Sequence, residues 1–491
     1  MRSFFSPVIE ERDTLSPARH SPNLASFLND FNSVRKMRPT HPILAVVAVL
    51  SIIVSAQPSS FDIPLAPQDH PLKWATRTIP IALSSSLSAP SPAIKPGTDV
   101  LGAVHKALMT WSKATNIKFV EVMSSAQSVS PSAAGDRVNL VTIAPTEENL
   151  ELFSEGNTTA RTRVFFDRES SEITEADVVI NPYPFSDNGT PIQFSSDETP
   201  GTYDLESTLT HEIGHVLGLT HSRVLGATMQ PTQALNGTYG VSAITERTLS
   251  DADVSAIRAL YGTMEKSGAV EGRILLNVDG GLSPANGAHV WIEELTTGRV
   301  IAETTTAGTG RFSMSAVPVG DYRAMVEYPR SVPSVAEAVS VVNDRRTNQR
   351  VFRSVEMRPR LRVAVDKSTL INHVLVPSQN ASLNLNARFV GMNGELSTVS
   401  VPAKPGQTIT LYVGGEGVDQ VPGTALVFNS SFINVEAATL TREASFNSTP
   451  VVSFSVAIDR NTPPGDYTLR LQSNSGEVAY VVGAVKILPS P

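Results

Sequence analysis

The chain has 491 residues, which is too long for one compact domain of roughly 150 residues and predicts about three domains. Hydrophobic residues make up 41 % and charged residues 18 %, so the sequence can form buried cores and is not disordered by composition. The net charge of −8 argues against nucleic acid as a partner, because phosphate binding requires clustered positive charge. The chain has no cysteine, which excludes disulfides, thiol catalysis and thiolate metal sites.

An apolar segment near the N-terminus predicts secretion. Pro42–Ala56 is almost wholly apolar, follows three basic residues and ends in a small-residue cleavage pattern. It is shorter than the about 20 residues that a membrane-spanning helix needs. We interpret residues 1–56 as a leader ending in a signal peptide, and residues 57–71 as a linker. A buried strand or an uncleaved anchor is the alternative, and a translation start at Met37 rather than Met1 would give a signal sequence of ordinary length.

Strand and helix patterns follow one another from residue 72 to 263 and predict an α+β domain. We expect strands at Thr76–Leu83, Asn116–Val122, Asp136–Ile143, Arg161–Phe166 and Ala176–Asn181. We expect helices at Asp99–Trp111, Asp204–Leu217 and Asp251–Tyr261. Asp99 or Thr98 is expected to cap the first helix, and Ser250 with Asp253 forms a capping pattern before the last.

Beyond residue 263 the helical patterns stop, and short β-runs separated by Gly and Pro predict two all-β sandwiches, at 268–356 and 357–491. A short sequence occurs in both: Pro318–Tyr322 reads PVGDY and Pro463–Tyr467 reads PPGDY. We interpret this similarity as reuse of one kind of turn rather than as a duplication.

The sequence HEIGHVLGLTH at His211–His221 carries the strongest chemical signal in the chain. His211 and His215 are four residues apart, so on a helix both imidazoles project from one face and can share a metal ion. Glu212 can reach a metal-bound water without being a ligand. Gly218 favours a sharp turn that returns the chain, so that His221 can supply a third nitrogen. Three imidazoles and an open position are typical of catalytic zinc.

This motif resembles the signature of the metzincin zinc endopeptidases, and Ser222 directly after the third histidine resembles the matrixin branch of that family. Met229, eight residues beyond His221, matches the methionine turn that lies beneath the metal in these enzymes. Asp253 occupies the position that supports this turn in the family, and a helix-capping role is compatible with it. The resemblance implies a zincin-like catalytic domain at 72–263.

Several features depart from the family pattern. A chain without cysteine cannot use a propeptide cysteine for latency. Of the histidines that a second, structural zinc would require, only His105 is available, so we expect one catalytic zinc per chain. Pro231 stands where some metzincins place a tyrosine ligand, and Thr232 and Gln233 do not match the substrate pockets of well-studied relatives. Calcium is a further candidate ion at the loop Asp167–Asp177, although solvated turns are the simpler interpretation.

The second region resembles the carboxypeptidase regulatory-like, transthyretin-like sandwich, with matching segments at Val270–Arg273, Asn286–Val290, Thr306–Phe312 and Pro318–Tyr322. The last region is generically immunoglobulin-like. Neither carries a metal-binding or nucleophilic constellation, so we expect spacer or binding roles, including contact with a cell surface or carbohydrate.

The resemblance implies a hydrolase that cleaves protein or peptide substrates by means of an activated water, and the segment Pro42–Ala56 predicts that it is secreted. We expect a monomer. Zinc held by His211, His215 and His221 would lower the pKa of that water, and Glu212 would act as the general base. We expect an extended substrate to pair with an exposed edge strand near Ala176–Phe194. The alternative is a non-enzymatic surface or adhesion protein in which the zinc fold is only a binding scaffold.

Overall fold

The computed structural model describes residues 2–5, 8–9, 71–132, 135–154, 158–186, 189–242, 244–262, 266–328, 352–375, 384–446 and 448–489. The expected signal peptide at 42–56 and nearly all of the linker lie outside these residues. No helix among the described residues has the length and apolarity needed to cross a membrane.

The first domain is built on a mixed sheet. Its strands are β1 (Arg2–Phe5), β2 (Val8–Ile9), β3 (Thr78–Ser84), β4 (Lys118–Ser124), β5 (Leu140–Thr142), β6 (Thr158–Phe166), β7 (Ile173–Ile180) and β10 (Thr232–Ala234). The order across the sheet is β10-β1-β6-β7-β5-β3-β4, with β2 also paired to β6. The strands β3, β4, β5 and β7 are mutually parallel, whereas β6 runs antiparallel to β7. The short strands β8 (Phe194–Ser195) and β9 (Tyr203–Asp204) form a separate pair.

The described residues of this domain also form four α-helices: α1 (Val100–Ala114), α2 (Glu147–Glu151), α3 (Leu205–Val216) and α4 (Asp251–Tyr261). The expected caps are present, since Asp99 accepts a hydrogen bond from the Gly102 amide and Ser250 and Asp253 form a reciprocal capping box. The helix α3 is buried along its length and packs on α1, where the Trp111 indole N–H donates to the Thr210 carbonyl. The domain core lies between the helices and the sheet.

The described residues of the second domain form a sandwich of two four-stranded sheets. Its strands are β11 (Ser267–Val278), β12 (Gly281–Pro284), β13 (His289–Glu294), β14 (Val300–Thr305), β15 (Arg311–Pro318), β16 (Gly320–Glu327), β17 (Val355–Val363) and β18 (Ser368–Leu375). One sheet contains β12, β11, β15 and β18, and the other has the order β14-β13-β16-β17. Apolar residues alternate inward from both sheets and form one core.

The third domain is a second sandwich. Its strands are β19 (Asn386–Met392), β20 (Glu395–Ser397), β21 (Val401–Ala403), β22 (Thr408–Glu416), β23 (Leu426–Phe428), β24 (Ile433–Phe446), β25 (Thr449–Ile458), β26 (Gly465–Gln472) and β27 (Val478–Ile487). The sheet orders are β20-β19-β22-β25-β24 and β21-β27-β26-β23. The expected class, an α+β domain followed by two all-β sandwiches, is confirmed.

The two turns of similar sequence make the same contact. The Tyr322 hydroxyl donates to the Pro318 carbonyl at 2.7 Å, and the Tyr467 hydroxyl donates to the Pro463 carbonyl at 2.8 Å. Each tyrosine therefore ties its strand, β16 or β26, to the turn that precedes it.

Two expectations need correction. The second domain, which is the first of the two sandwiches, extends beyond residue 356, because β17 pairs with β16 and β18 pairs with β11. The strand expected to pair with an extended substrate, near Ala176, is also not an edge strand. It is β7, which has β5 on one side and β6 on the other, so it lies in the interior of the sheet. Its backbone groups are already used in the sheet. The strand on the outer side of β7 is β6, which in turn pairs with β1 and β2.

The three domains meet in a shared apolar cluster. It is formed by Val224, Ala227 and Ala252 from the first domain, Trp291, Val300 and Met325 from the second, and Tyr480 and Val482 from the third. The domains are therefore packed together, and their junction lies on the segment that follows the third histidine of the motif.

Candidate metal centre

The helix α3 presents His211 and His215 from one face. Asp204 caps its N-terminus, with its side chain accepting a hydrogen bond from the Ser207 amide. Gly214, between the two histidines, is required by packing, because a Cβ at this position would lie 2.2 Å from the Met229 sulfur and 2.9 Å from the Trp111 ring. The helix spacing sets the positions of the two imidazoles, and the glycine lets the methionine approach beneath them.

The chain turns back directly after α3. Gly218 has φ +90°, and a Cβ there would lie 2.3 Å from the Leu72 carbonyl oxygen, so both the backbone conformation and the space require glycine. The turn brings His221 to the same point as the two helical histidines.

The three imidazoles converge on one another. The Nε2 atom of His215 lies 3.0 Å from Nε2 of His211 and 3.3 Å from Nε2 of His221. Three nitrogens bound tetrahedrally to zinc at about 2.0–2.1 Å would be separated by about 3.3 Å. Among the described residues, this is the one group of three or more His, Cys, Asp or Glu side chains whose donor atoms converge in this way.

The hydrogen bonds behind the rings determine which nitrogen faces the site. Nδ1 of His211 contacts the Thr228 carbonyl at 2.7 Å, and Nδ1 of His215 contacts the Leu219 carbonyl at 2.8 Å. A carbonyl can only accept, so both Nδ1 atoms carry the proton and both Nε2 atoms present lone pairs. Burial lowers the pKa of His215 to about 4, and burial together with the neighbouring histidines lowers the pKa of His211 well below its ordinary value. Neutral rings with converging lone pairs repel one another unless a cation lies between them, so this donor set fits zinc.

Glu212 is fully buried beside the histidines. Its Oε2 accepts a hydrogen bond of 2.5 Å from the Thr162 hydroxyl, whereas its Oε1 has no hydrogen-bond partner among the described residues. Burial raises the pKa of Glu212 to about 8, against the opposing effects of the Thr162 hydrogen bond and the charge of Arg161. One carboxylate oxygen is therefore held in place while the other remains available.

Met229 lies in the expected turn and is buried. Its carbonyl accepts from the Ser222 amide at 2.8 Å. The Asp253 carboxylate accepts from the amides of Thr228 at 2.7 Å and Met229 at 3.1 Å, and also from the Ser250 amide at 2.9 Å. Asp253 thus caps α4 and supports the methionine turn at the same time, as the resemblance implied.

Sequence reasoning missed Thr162. It was placed on a strand, but nothing in the spacing of residues on β6 indicates that its hydroxyl reaches α3, 50 positions away. The remaining candidates do not join the metal centre. His105 is exposed and pairs with Glu121 at 2.8 Å, and Asp167 accepts hydrogen bonds from the amides of Glu169 and Ser170, as in an ordinary solvated turn.

Comparison with known families agrees with this architecture. Residues 73–262 match the family described as Matrixin, and residues 269–353 match the carboxypeptidase regulatory-like domain. The chain contains a matrixin domain followed by a carboxypeptidase regulatory-like domain, which confirms both resemblances. The matrixin family implies a catalytic zinc, in accord with the donor set described above.

Among curated proteins, the metalloendoproteinase 4-MMP of Arabidopsis thaliana is 39 % identical over 72 residues, which make up 15 % of this chain and 19 % of that protein. Two solved structures are similar to parts of the chain. The 5-hydroxyisourate hydrolase of Klebsiella pneumoniae has 18 % identity over 23 % of this chain and 88 % of its own, with a TM-score of 0.14. The major pilin subunit BcpA of Bacillus cereus has 10 % identity over 44 % of this chain and 67 % of its own, with a TM-score of 0.16. Scores this low carry no argument about function.

Proposed function

We propose that this chain is a secreted zinc-dependent endopeptidase in which Glu212 is the general base. The observation that carries the proposal is the convergence of three imidazole Nε2 atoms beside a buried carboxylate with one free oxygen. The matrixin domain supports the reaction class. Secretion is supported by the sequence of the segment Pro42–Ala56.

His211, His215 and His221 would hold the zinc ion. When bound, zinc supplies Lewis acidity, which lowers the pKa of a water molecule and polarises a peptide carbonyl. A cation at the histidines also favours the ionised form of Glu212, because an opposite charge nearby lowers a carboxyl pKa. The Oε1 atom of Glu212 is free to accept the proton of the attacking water and to pass it to the leaving amine nitrogen.

Thr162 keeps Glu212 in position for this task. Its hydroxyl contacts both Oε2 and the backbone carbonyl of Glu212, at 2.5 Å and 3.2 Å. Because Thr162 lies on β6, the sheet and the catalytic helix are joined at the proposed general base. The orientation of the carboxylate is then set before a substrate binds.

The strand β6 is also the proposed docking edge for an extended substrate. On the side away from β7 it pairs with β1 and β2, which precede the proposed signal peptide. Cleavage after Ala56 would remove β1 and β2, and the backbone groups of β6 would become free to bond a peptide. This proposal replaces the docking edge first expected near Ala176.

The decisive experiment combines metal analysis of the secreted protein with N-terminal sequencing and a casein-cleavage assay with and without a chelator. We expect one zinc per chain, an N-terminus near residue 57, and hydrolysis that a chelator abolishes and zinc restores. Zinc binding without hydrolysis would instead favour a non-enzymatic zinc scaffold.

The variant Glu212→Ala separates the general base from the metal ligands. We expect bound zinc to be retained while the hydrolysis rate falls by several orders of magnitude, because the proton acceptor is lost. Retained activity would contradict the role assigned to Glu212.

A further inference from the structure

The segment between His221 and Met229 has no helix or strand among the described elements. It nevertheless carries the third histidine at one end and the methionine turn at the other. Such a segment can hold a ligand in one place only if its backbone is anchored from outside. Asp253 on α4 anchors its methionine end, and its other anchoring contacts come from the second and third domains.

The second domain contributes the carboxylate of Glu303, on β14. The Ser222 hydroxyl donates to Oε1 of Glu303, and the Arg223 amide donates to the same oxygen at 3.1 Å. Ser222 directly follows His221, so Glu303 holds the backbone on which the third histidine is mounted. Glu303 lies 82 positions from His221 in the sequence, but it contacts Ser222, the residue next to His221.

Glu303 is itself held by a buried histidine. Nε2 of His289 contacts Oε2 of Glu303 at 2.8 Å, and Nδ1 of His289 contacts Oε1 of Glu327 at 3.0 Å. The His289 side chain is 1 % exposed and stacks on Trp291, with 4.9 Å between the ring centroids. A ring between two carboxylates donates from both nitrogens, which fixes the direction of the Glu303 carboxylate.

The third domain holds the next part of the segment. The Leu225 amide donates to the Val482 carbonyl at 2.9 Å, and the Lys486 ammonium group donates to the Gly226 carbonyl at 2.7 Å. The three-domain apolar cluster lies beside these contacts, since Val224, Ala227 and Val482 belong to it. The segment is thus attached at successive residues to both sandwiches.

We propose that Glu303 is a positioning residue for the third zinc ligand, so that the carboxypeptidase regulatory-like domain completes the metal centre. The inference rests on the proposed function, since zinc is the ion concerned. It assigns the second domain a role beyond that of a spacer. Loss of the Glu303 carboxylate leaves His211 and His215 in place on α3 and loosens His221.

The test measures zinc affinity of the full chain by competition with a chromophoric chelator, together with the rate of zinc release. Glu303→Ala is compared with Glu327→Ala, which also removes one carboxylate from His289. Among the described residues, Glu327 makes no hydrogen bond to Ser222 or Arg223, whereas Glu303 does. We expect Glu303→Ala to weaken zinc binding about 10- to 100-fold and to speed the release of zinc, which is the size of effect typical for residues that orient a metal ligand. Glu327→Ala should stay within about 2-fold of wild type, and Glu303→Gln, which keeps an acceptor oxygen, within about 3-fold.

Ser222→Ala is the second variant, and it serves if Glu303→Ala does not fold. It leaves the His289–Glu303 pair intact. We expect it to weaken zinc binding about 3- to 10-fold. A folded Glu303→Ala protein with wild-type zinc affinity, an equal loss in Glu327→Ala, or an unchanged Ser222→Ala protein would overturn the inference. Wild-type protein that binds zinc but cleaves no casein would overturn the proposed function alone, and wild-type protein that binds no zinc would overturn both.

Discussion

The metal centre has two parts that are built differently. His211, Glu212 and His215 lie on α3, where a four-residue spacing along one helix places both imidazoles together. His221 and the turn at Met229 lie in a segment that is anchored by α4, by the second domain and by the third domain. The helical part depends on local geometry, and the loop part depends on contacts between residues far apart in the sequence.

This difference indicates where the site is vulnerable. A change on the surface of α3 leaves the helix spacing intact, whereas a change at a distant anchor of the loop can move a metal ligand without touching it. The inference thus gives the two sandwiches a part in the energetics of the proposed zinc site. Variants of the anchoring residues, each compared with a matched neighbouring residue, test this distinction.

The largest effect is expected from Asp253→Ala. This substitution removes the acceptor for the amides of Thr228, Met229 and Ser250, and leaves buried donors unsatisfied. We expect the free energy of unfolding to fall by about 3 kcal/mol and zinc affinity to fall with it. Both are measured by denaturant titration and chelator competition.

Asp251→Ala is the matched control, since Asp251 lies in the same first turn of α4 but forms a partly exposed ion pair with Arg299 at 3.3 Å. We expect it to cost less than about 1 kcal/mol and to leave zinc affinity unchanged. Equal losses in the two variants would contradict the role assigned to Asp253 in supporting the methionine turn.

A smaller effect is expected from Thr162→Val, which tests the helical part of the site. The side chain keeps its shape but can no longer donate to Glu212. We expect kcat to fall about 10-fold with KM and zinc content unchanged, because the Glu212 carboxylate is no longer held in its orientation. A 10-fold fall corresponds to a loss of about 1.4 kcal/mol of transition-state stabilisation.

Thr162→Ser supplies the control, because it restores the hydroxyl and should recover kcat to within about 3-fold of wild type. If Thr162→Val retains wild-type kcat, or if the serine variant is equally impaired, then the hydroxyl does not orient Glu212.

The smallest effect is a pH dependence at the junction. Burial lowers the pKa of His289, but the contacts with Glu303 and Glu327 outweigh it and raise that pKa above its ordinary value. Burial raises the pKa of Glu303, but His289, Ser222 and the Arg223 amide outweigh it and lower that pKa. The stabilisation from His289 is complete below the unfolded-state pKa near 6.5 and is lost as the pH rises through the higher folded-state value. The stabilisation from Glu303 is present above its unfolded-state pKa near 4.5 and is lost as the pH falls through the lower folded-state value.

This pH dependence is measured as the difference in unfolding free energy between wild type and His289→Gln. We expect the difference to be greatest between about pH 4.5 and 6.5 and to shrink in alkaline solution. NMR titration of isotopically labelled histidine should place the pKa of His289 above its ordinary value. A difference that is constant from pH 5 to 9 would rule out a charged His289 at the junction.

Much of the first domain could be predicted because its signals are local. The caps at Asp99 and Ser250 act over three residues, and the helical faces follow from apolar spacing, so the helices α1, α3 and α4 appear within a few residues of their expected bounds. The short helix α2 was missed, because five residues offer too little periodicity to recognise. The interior position of β7 was missed for another reason, since strand order is set by pairing between distant segments.

The sequence alone determined the domain order, the identity of the three histidines and the glutamate, and the sharp turn at Gly218, because each depends on residues close together along the chain. Only the tertiary structure revealed that Thr162 reaches Glu212 and that Glu303 reaches Ser222. These hydrogen bonds join residues that are 50 and 81 positions apart. Whether two such residues meet depends on how distant strands, helices and domains pack against one another.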